Sequence, residues 1–125
     1  ILPLACSLGH NGIGDEGASA LAAILKDTQI TNLYLGFNQI GVQGATKLAA
    51  ILKETNITNL TLRRNLLGPK GGVALANGLK GNSRLKELNL EMNRIGAEGA
   101  TALAAVLKET KISNLNLQYN DLDDQ

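Results

Sequence analysis

One asparagine recurs along this chain with a spacing that leaves few folds open. Asn11, Asn38, Asn65, Asn93 and Asn120 follow one another at intervals of 27, 27, 28 and 27 residues. Four of them close a segment of one form: Leu33-Tyr-Leu-Gly-Phe-Asn38, Leu60-Thr-Leu-Arg-Arg-Asn65, Leu88-Asn-Leu-Glu-Met-Asn93 and Leu115-Asn-Leu-Gln-Tyr-Asn120. The first copy, Cys6-Ser-Leu-Gly-His-Asn11, carries Cys6 in place of the first Leu. A period of this length is one supersecondary unit repeated. Such a unit cannot bury its own apolar face, so its neighbours must stack.

Each period reads as a short strand followed by a helix. Leu33 and Leu35 alternate with Asn32, Tyr34 and Gly36, which buries one face and wets the other. An Ile or Leu follows each Asn by two positions: Ile13, Ile40, Leu67, Ile95 and Leu122. A block such as Gly44-Ala-Thr-Lys-Leu-Ala-Ala-Ile-Leu-Lys53 then places Leu48 and Leu52 four apart, with Ala45, Ala49 and Ile51 widening the stripe. That is an amphipathic helix of roughly three turns. Pro69 falls at a first helical position, where its missing N–H costs nothing. Lys26, Lys53, Lys80 and Lys108 are expected in the last helical turn, facing the negative end of the dipole. Strands pair at about 4.8 Å and helices at about 8–10 Å, so a stack of such units curves with its strands inside.

The Asn column has a mechanical reading. A tight turn leaves backbone N–H and C=O groups without sheet partners. A carboxamide both donates and accepts, so stacked Asn side chains can satisfy the turns of their own and adjacent repeats. The ladder Asn11, Asn38, Asn65, Asn93 and Asn120 is therefore structural. The third helical block stands apart, because Gly71, Gly72, Gly78 and Gly81 make it rich in glycine. Glycine within a helix costs about 1 kcal/mol against Ala. This helix is expected to be the least stable, either as a hinge or as tolerated degeneracy, with a thinner layer at Gly78.

Leu-x-Leu-x-x-Asn-x-Ile-Gly followed by Gly-Ala-x-x-Leu-Ala-x-x-Leu-Lys resembles the ribonuclease-inhibitor-like class of leucine-rich repeats. The form is most similar to the C-terminal repeats of NOD-like receptors. The resemblance covers essentially the whole chain. It implies an α/β right-handed solenoid, a horseshoe with parallel strands on the concave face and helices on the convex face, used to recognise proteins. Residues 1–125 are expected to form a single leucine-rich-repeat domain of five strand-turn units and four helices. Neither end shows a capping unit, so the chain is expected to be a segment of a longer array, with self-association through uncapped ends. Ribonuclease inhibitor itself alternates two Cys-rich repeat types. With one cysteine here, inhibition of ribonucleases is not implied.

Comparing the five repeats with one another separates framework from variable columns. The column before each Asn changes completely: His10, Phe37, Arg64, Met92 and Tyr119. The column before that reads Gly9, Gly36, Arg63, Glu91 and Gln118, and the one between the two Leu positions reads Ser7, Tyr34, Thr61, Asn89 and Asn116. By strand alternation these side chains point out of the inner face or sit at its C-terminal rim. The chain has only three aromatic residues, and all lie in these columns, as do its single Met and single His. Exposed aromatic and Arg side chains on a rigid concave surface are typical interface anchors. The expected partner-binding residues are His10, Tyr34, Phe37, Arg63, Arg64, Glu91, Met92, Gln118 and Tyr119. Tyr34 and Phe37 are expected to make one apolar spot, and Arg63 and Glu91 to face each other on adjacent strands.

The remaining chemistry is sparse. One histidine cannot build a His-based triad or a two-His metal site, and Cys6 in a Leu column reads as inert packing. No catalytic residue, metal or cofactor is expected. A net charge of +1 gives no basic field for nucleic acid. No apolar run approaches the ~18 residues of a membrane span. A single cysteine fits a reducing compartment, hence a cytoplasmic protein. The expected function is non-catalytic recognition of another protein on the concave face. The alternatives are a regulatory horseshoe of the Ran GTPase-activating type and a structural scaffold.

Overall fold

The computed structural model describes residues 4–121. Strands and helices alternate strictly: β1 (Ala5–Ser7), α1 (Gly14–Leu25), β2 (Asn32–Tyr34), α2 (Val42–Ile51), β3 (Asn59–Thr61), α3 (Gly68–Leu79), β4 (Glu87–Asn89), α4 (Gly96–Leu107) and β5 (Asn114–Asn116). A 3₁₀ turn, Leu52–Glu54, extends α2. The five strands form one open parallel sheet in sequence order. Their register aligns Cys6, Leu33, Leu60, Leu88 and Leu115 in a single row. The molecule is an α/β solenoid, and each expected strand and helix is present.

The core runs as a seam between sheet and helices. Leu33, Leu60 and Leu88 enter it from the strands, Leu35, Leu62 and Leu90 from just beyond them, and Leu25, Leu48, Leu75 and Leu103 from the helices, all essentially solvent-free. Each such Leu contributes about 1.5–3 kcal/mol of transfer free energy. The strands are three residues long and centred on the first Leu, so the second Leu falls outside them. Inter-strand hydrogen bonding continues past the strands, through Leu35 N to Thr61 O and Phe37 N to Arg63 O, both at 2.9 Å. Cys6 departs from its expected burial. β1 is an edge strand, and Cys6 is only half-buried.

Three of the four lysines expected in a last helical turn also sit one step further along. Lys26, Lys80 and Lys108 are C-caps rather than last-turn residues, and Lys53 lies in the 3₁₀ turn. Gly68 has φ +65°, outside the helical region, so Pro69 opens the regular part of α3. A second ladder closes the other end of the helices. Thr28, Thr55 and Thr110 donate their hydroxyls to the carbonyls of Leu25, Leu52 and Leu107 at 2.7–2.8 Å. Asn82 takes this place in the third repeat. Its Oδ1 accepts from Arg84 N and Leu85 N, each at 2.9 Å, and its buried Nδ2 has no protein partner.

The glycines of α3 are not idle degeneracy. A Cβ at Gly78 would lie 2.6 Å from the carbonyl oxygen of Ala49 on α2, a clash with backbone. A Cβ at Gly72 would lie 3.1 Å from the Gly99 Cα on α4. Small residues there let α3 approach both neighbours, so the layer is thin because the helices are close. Gly44 serves the α1–α2 contact similarly, since a Cβ there would lie 2.7 Å from Asp15 Oδ1. That carboxylate accepts from Gly41 N at 2.7 Å and Gly44 N at 2.8 Å. α2 has no side-chain cap of its own, and Asp15 supplies one from the preceding repeat.

Candidate functional site

The buried framework of the inner face is the Asn ladder. Asn65 shows the pattern. Its Oδ1 accepts from Asn38 N at 3.0 Å and Ile40 N at 2.9 Å in the preceding repeat. Its Nδ2 donates to Leu62 O at 2.9 Å in its own repeat and to Leu35 O at 3.0 Å in the preceding one. Asn38, Asn93 and Asn120 repeat this pattern. All four are buried. Asn11 differs: it is exposed, and its carboxamide donates only within its own turn, to Leu8 O and Gly9 O. The ladder thus ties every described turn to the next.

The residue before each ladder Asn adopts a left-handed backbone. His10, Phe37, Arg64, Met92 and Tyr119 have φ between 57° and 63°. The residue after it does the same at Gln39, Arg94 and Asp121, and at Gly12. Left-handed conformations cost non-Gly residues roughly 1–2 kcal/mol each. Strand alternation therefore does not extend to this column, which lies on a rim held in place by the carboxamides behind it. Leu66 is the exception among the residues after the Asn, with no positive φ. Its N–H donates to Ile40 O at 2.7 Å.

Two neighbouring surfaces result. The first lies on the strands themselves, where Tyr34, Asn59, Thr61, Glu87, Asn89, Asn114 and Asn116 line a shallow polar groove of about 190 Å³. Asn59 Nδ2 donates to Glu87 Oε1 at 2.8 Å, and Asn32 Nδ2 to the Tyr34 hydroxyl at 3.3 Å. The columns singled out from sequence omit Asn32, Asn59, Glu87 and Asn114. Alternation about the first Leu was the signal that could have found them, because both residues flanking a buried strand position face the same way.

The second surface is the rim. His10 stacks on Phe37 with centroids 4.1 Å apart and an interplanar angle of 16°. The guanidinium carbons of Arg63 and Arg64 each lie 5.2 Å from the Phe37 centroid. His10 comes from the preceding repeat and the arginines from the following one, so they engage Phe37 from both sides. Phe37 is consequently half-buried rather than exposed, and it groups with these residues instead of forming one spot with Tyr34. Arg63 Nε pairs with Glu91 Oε1 at 3.1 Å, as the adjacent columns predict. Arg64 Nε donates to Met92 Sδ at 2.9 Å, and Met92 is half-buried too. Gln118 and Tyr119 are exposed, Tyr119 at 71%. Phe37, Arg64, Leu66, Met92, Arg94, Tyr119 and Asp121 border an open groove of about 490 Å³. Leu66, Arg94 and Asp121 are additions to the residues expected from sequence.

Among the described residues, no group of three or more His, Cys, Asp or Glu side chains is placed to hold a metal ion. No described helix is long and apolar enough to cross a membrane. No curated protein matches the chain. Among solved structures, it is similar to one titled leiomodin-1 actin-binding site 2, with a TM-score of 0.84 and 23% identity, covering 92% of this chain and 70% of that one. At that identity the likeness shows the fold. A family model described as leucine-rich repeat matches residues 7–22, 26–49 and 81–104, just over half of the sequence. The chain belongs to the leucine-rich-repeat family.

Proposed function

We propose that this chain is a non-catalytic module that recognises a protein partner on its concave face and the adjoining rim. The observation that carries the reading is where the large side chains stand. Every aromatic residue projects from the inner face or its rim, and none fills the solvent-free core. Tyr34 and Tyr119 are exposed at 38% and 71%. Aromatic and Arg side chains on a rigid support are suited to anchoring a protein interface. The similarity to a structure titled as an actin-binding site supports a protein, of unidentified kind, as the partner. The 27–28-residue period with full helices supports membership of the ribonuclease-inhibitor-like class, and the all-Asn ladder supports likeness to the NOD-like-receptor repeats. The near-neutral charge speaks for a protein rather than a nucleic acid, and the lone cysteine for a cytoplasmic site of action.

The test is a double substitution, Phe37→Ala with Tyr119→Ala, compared with the parent chain by affinity capture and quantitative mass spectrometry. Loss of the captured protein with an unchanged circular dichroism spectrum is the expected result. Undiminished capture by a folded double variant removes the inner-face reading.

A further inference from the structure

Resting on that recognition reading, we infer that the rim groove takes an acidic peptide segment that also carries a branched or aromatic apolar side chain. The charge pattern chooses the occupant. Arg64 and Arg94 border the groove, and the sole ion pair among the described residues is Arg63 with Glu91. Neither Arg64 nor Arg94 has a carboxylate within pairing distance among the described residues. Asp121 is the one acidic residue at the groove among the described residues, where two cations face one anion. Arg64 is also held in position. Its Nε is occupied by Met92 Sδ and its guanidinium lies over Phe37, leaving the terminal nitrogens to meet a ligand. A planar guanidinium fixed this way suits a carboxylate, which it can engage with two hydrogen bonds.

The apolar half of the specificity comes from Leu66, exposed at 63%, with exposed Tyr119 and half-buried Met92 on the same groove. A basic segment would meet the like charge of Arg64 and Arg94. A wholly apolar one would strip water from them without return. The support is stiff, because Asn65 and Asn93 lie buried directly behind Arg64 and Leu66, and behind Met92 and Arg94. A ligand therefore orders little of the protein on binding.

The experiment is selection of a phage-displayed random 12-residue peptide library on the parent chain. Binding of the enriched peptides is then measured to three variants: Arg64→Glu with Arg94→Glu, Arg64→Gln with Arg94→Gln, and Tyr34→Ala. Expected are peptides pairing Asp or Glu with a nearby Leu, Ile or Phe. Their affinity should fall at least about tenfold on charge neutralisation and further on reversal, and by less in Tyr34→Ala than in either Arg pair. The neutral pair guards against a folding artefact of the reversal. Neutral or basic peptides, no enrichment, full displacement by a single-stranded oligonucleotide, or binding indifferent to both Arg pairs overturns the inference. If peptides bind but respond only to Tyr34→Ala, the rim falls while the concave-face reading stands. If acidic peptides bind the rim while the Phe37/Tyr119 variant still captures its protein, the broader reading falls alone.

Discussion

Two adjacent columns of this solenoid have opposite natures. Asn38, Asn65, Asn93 and Asn120 are identical, buried and bonded to two repeats at once. One residue earlier, Phe37, Arg64, Met92 and Tyr119 share a backbone conformation and nothing else. The difference shows where the repeat keeps its identity. The ladder fixes the turn so firmly that the preceding residue is held at positive φ whatever its side chain. That residue is then free to vary in chemistry without altering the fold. A rigid column and a variable column one bond apart make a surface whose geometry is constant and whose chemistry changes from repeat to repeat.

The largest expected effect tests the rigid half. Asn65→Ala leaves Asn38 N and Ile40 N without their acceptor and takes one of two donors from Leu35 O and Leu62 O, which keep Asn38 Nδ2 and Asn93 Nδ2. Each buried orphan costs about 1–3 kcal/mol, with water recovering part. Chemical denaturation should show a loss on the order of 3–5 kcal/mol. Asn11→Ala, at the exposed first copy, should lose no more than about 1 kcal/mol. Equal losses at both positions would mean that the ladder acts through local turn preference rather than by tying repeats together.

The second effect concerns α3. Helix propensity alone says that Gly78→Ala should gain about 1 kcal/mol. The Ala49 backbone, 2.6 Å from the added Cβ, says otherwise, since overpacking costs about 1–3 kcal/mol. A net loss of about 1 kcal/mol in denaturation is expected. A gain would show that α2 and α3 can part without penalty, and that this glycine is surplus.

What could be read in advance follows from which interactions are local or periodic. The strands, the helices and the donor–acceptor logic of the Asn ladder recur every period, so five copies corroborate one another. Asp15 capping α2 occurs in one repeat and joins residues 26 and 29 positions apart, so no pattern announces it. Gly78 looked like a missing layer because sequence shows what a glycine lacks, and the close approach it permits appears only between helices. At the site, Tyr34, the Arg63–Glu91 pair and the exposure of Gln118 were legible from alternation, and Tyr119 from the variability of its column. Phe37 was not, because alternation ends with a three-residue strand and the left-handed turn swings its ring onto His10. Leu66 and Arg94 escaped for the same reason: they follow the ladder Asn, in a turn with no period-two rule.

The smallest effect tests the variable half directly. Tyr119 has φ 60° and is exposed at 71%, so its side chain adds little packing while its Cβ opposes the backbone. Tyr119→Gly removes roughly 1 kcal/mol of left-handed strain. It also gives the unfolded chain more freedom, which costs about 0.4–1 kcal/mol. The two nearly cancel, and stability should move by no more than about 0.5 kcal/mol in either direction. A loss above about 1.5 kcal/mol would show that the tyrosine ring braces the turn. The column would then belong to the framework, and its variation from repeat to repeat would have to be explained by packing rather than by recognition.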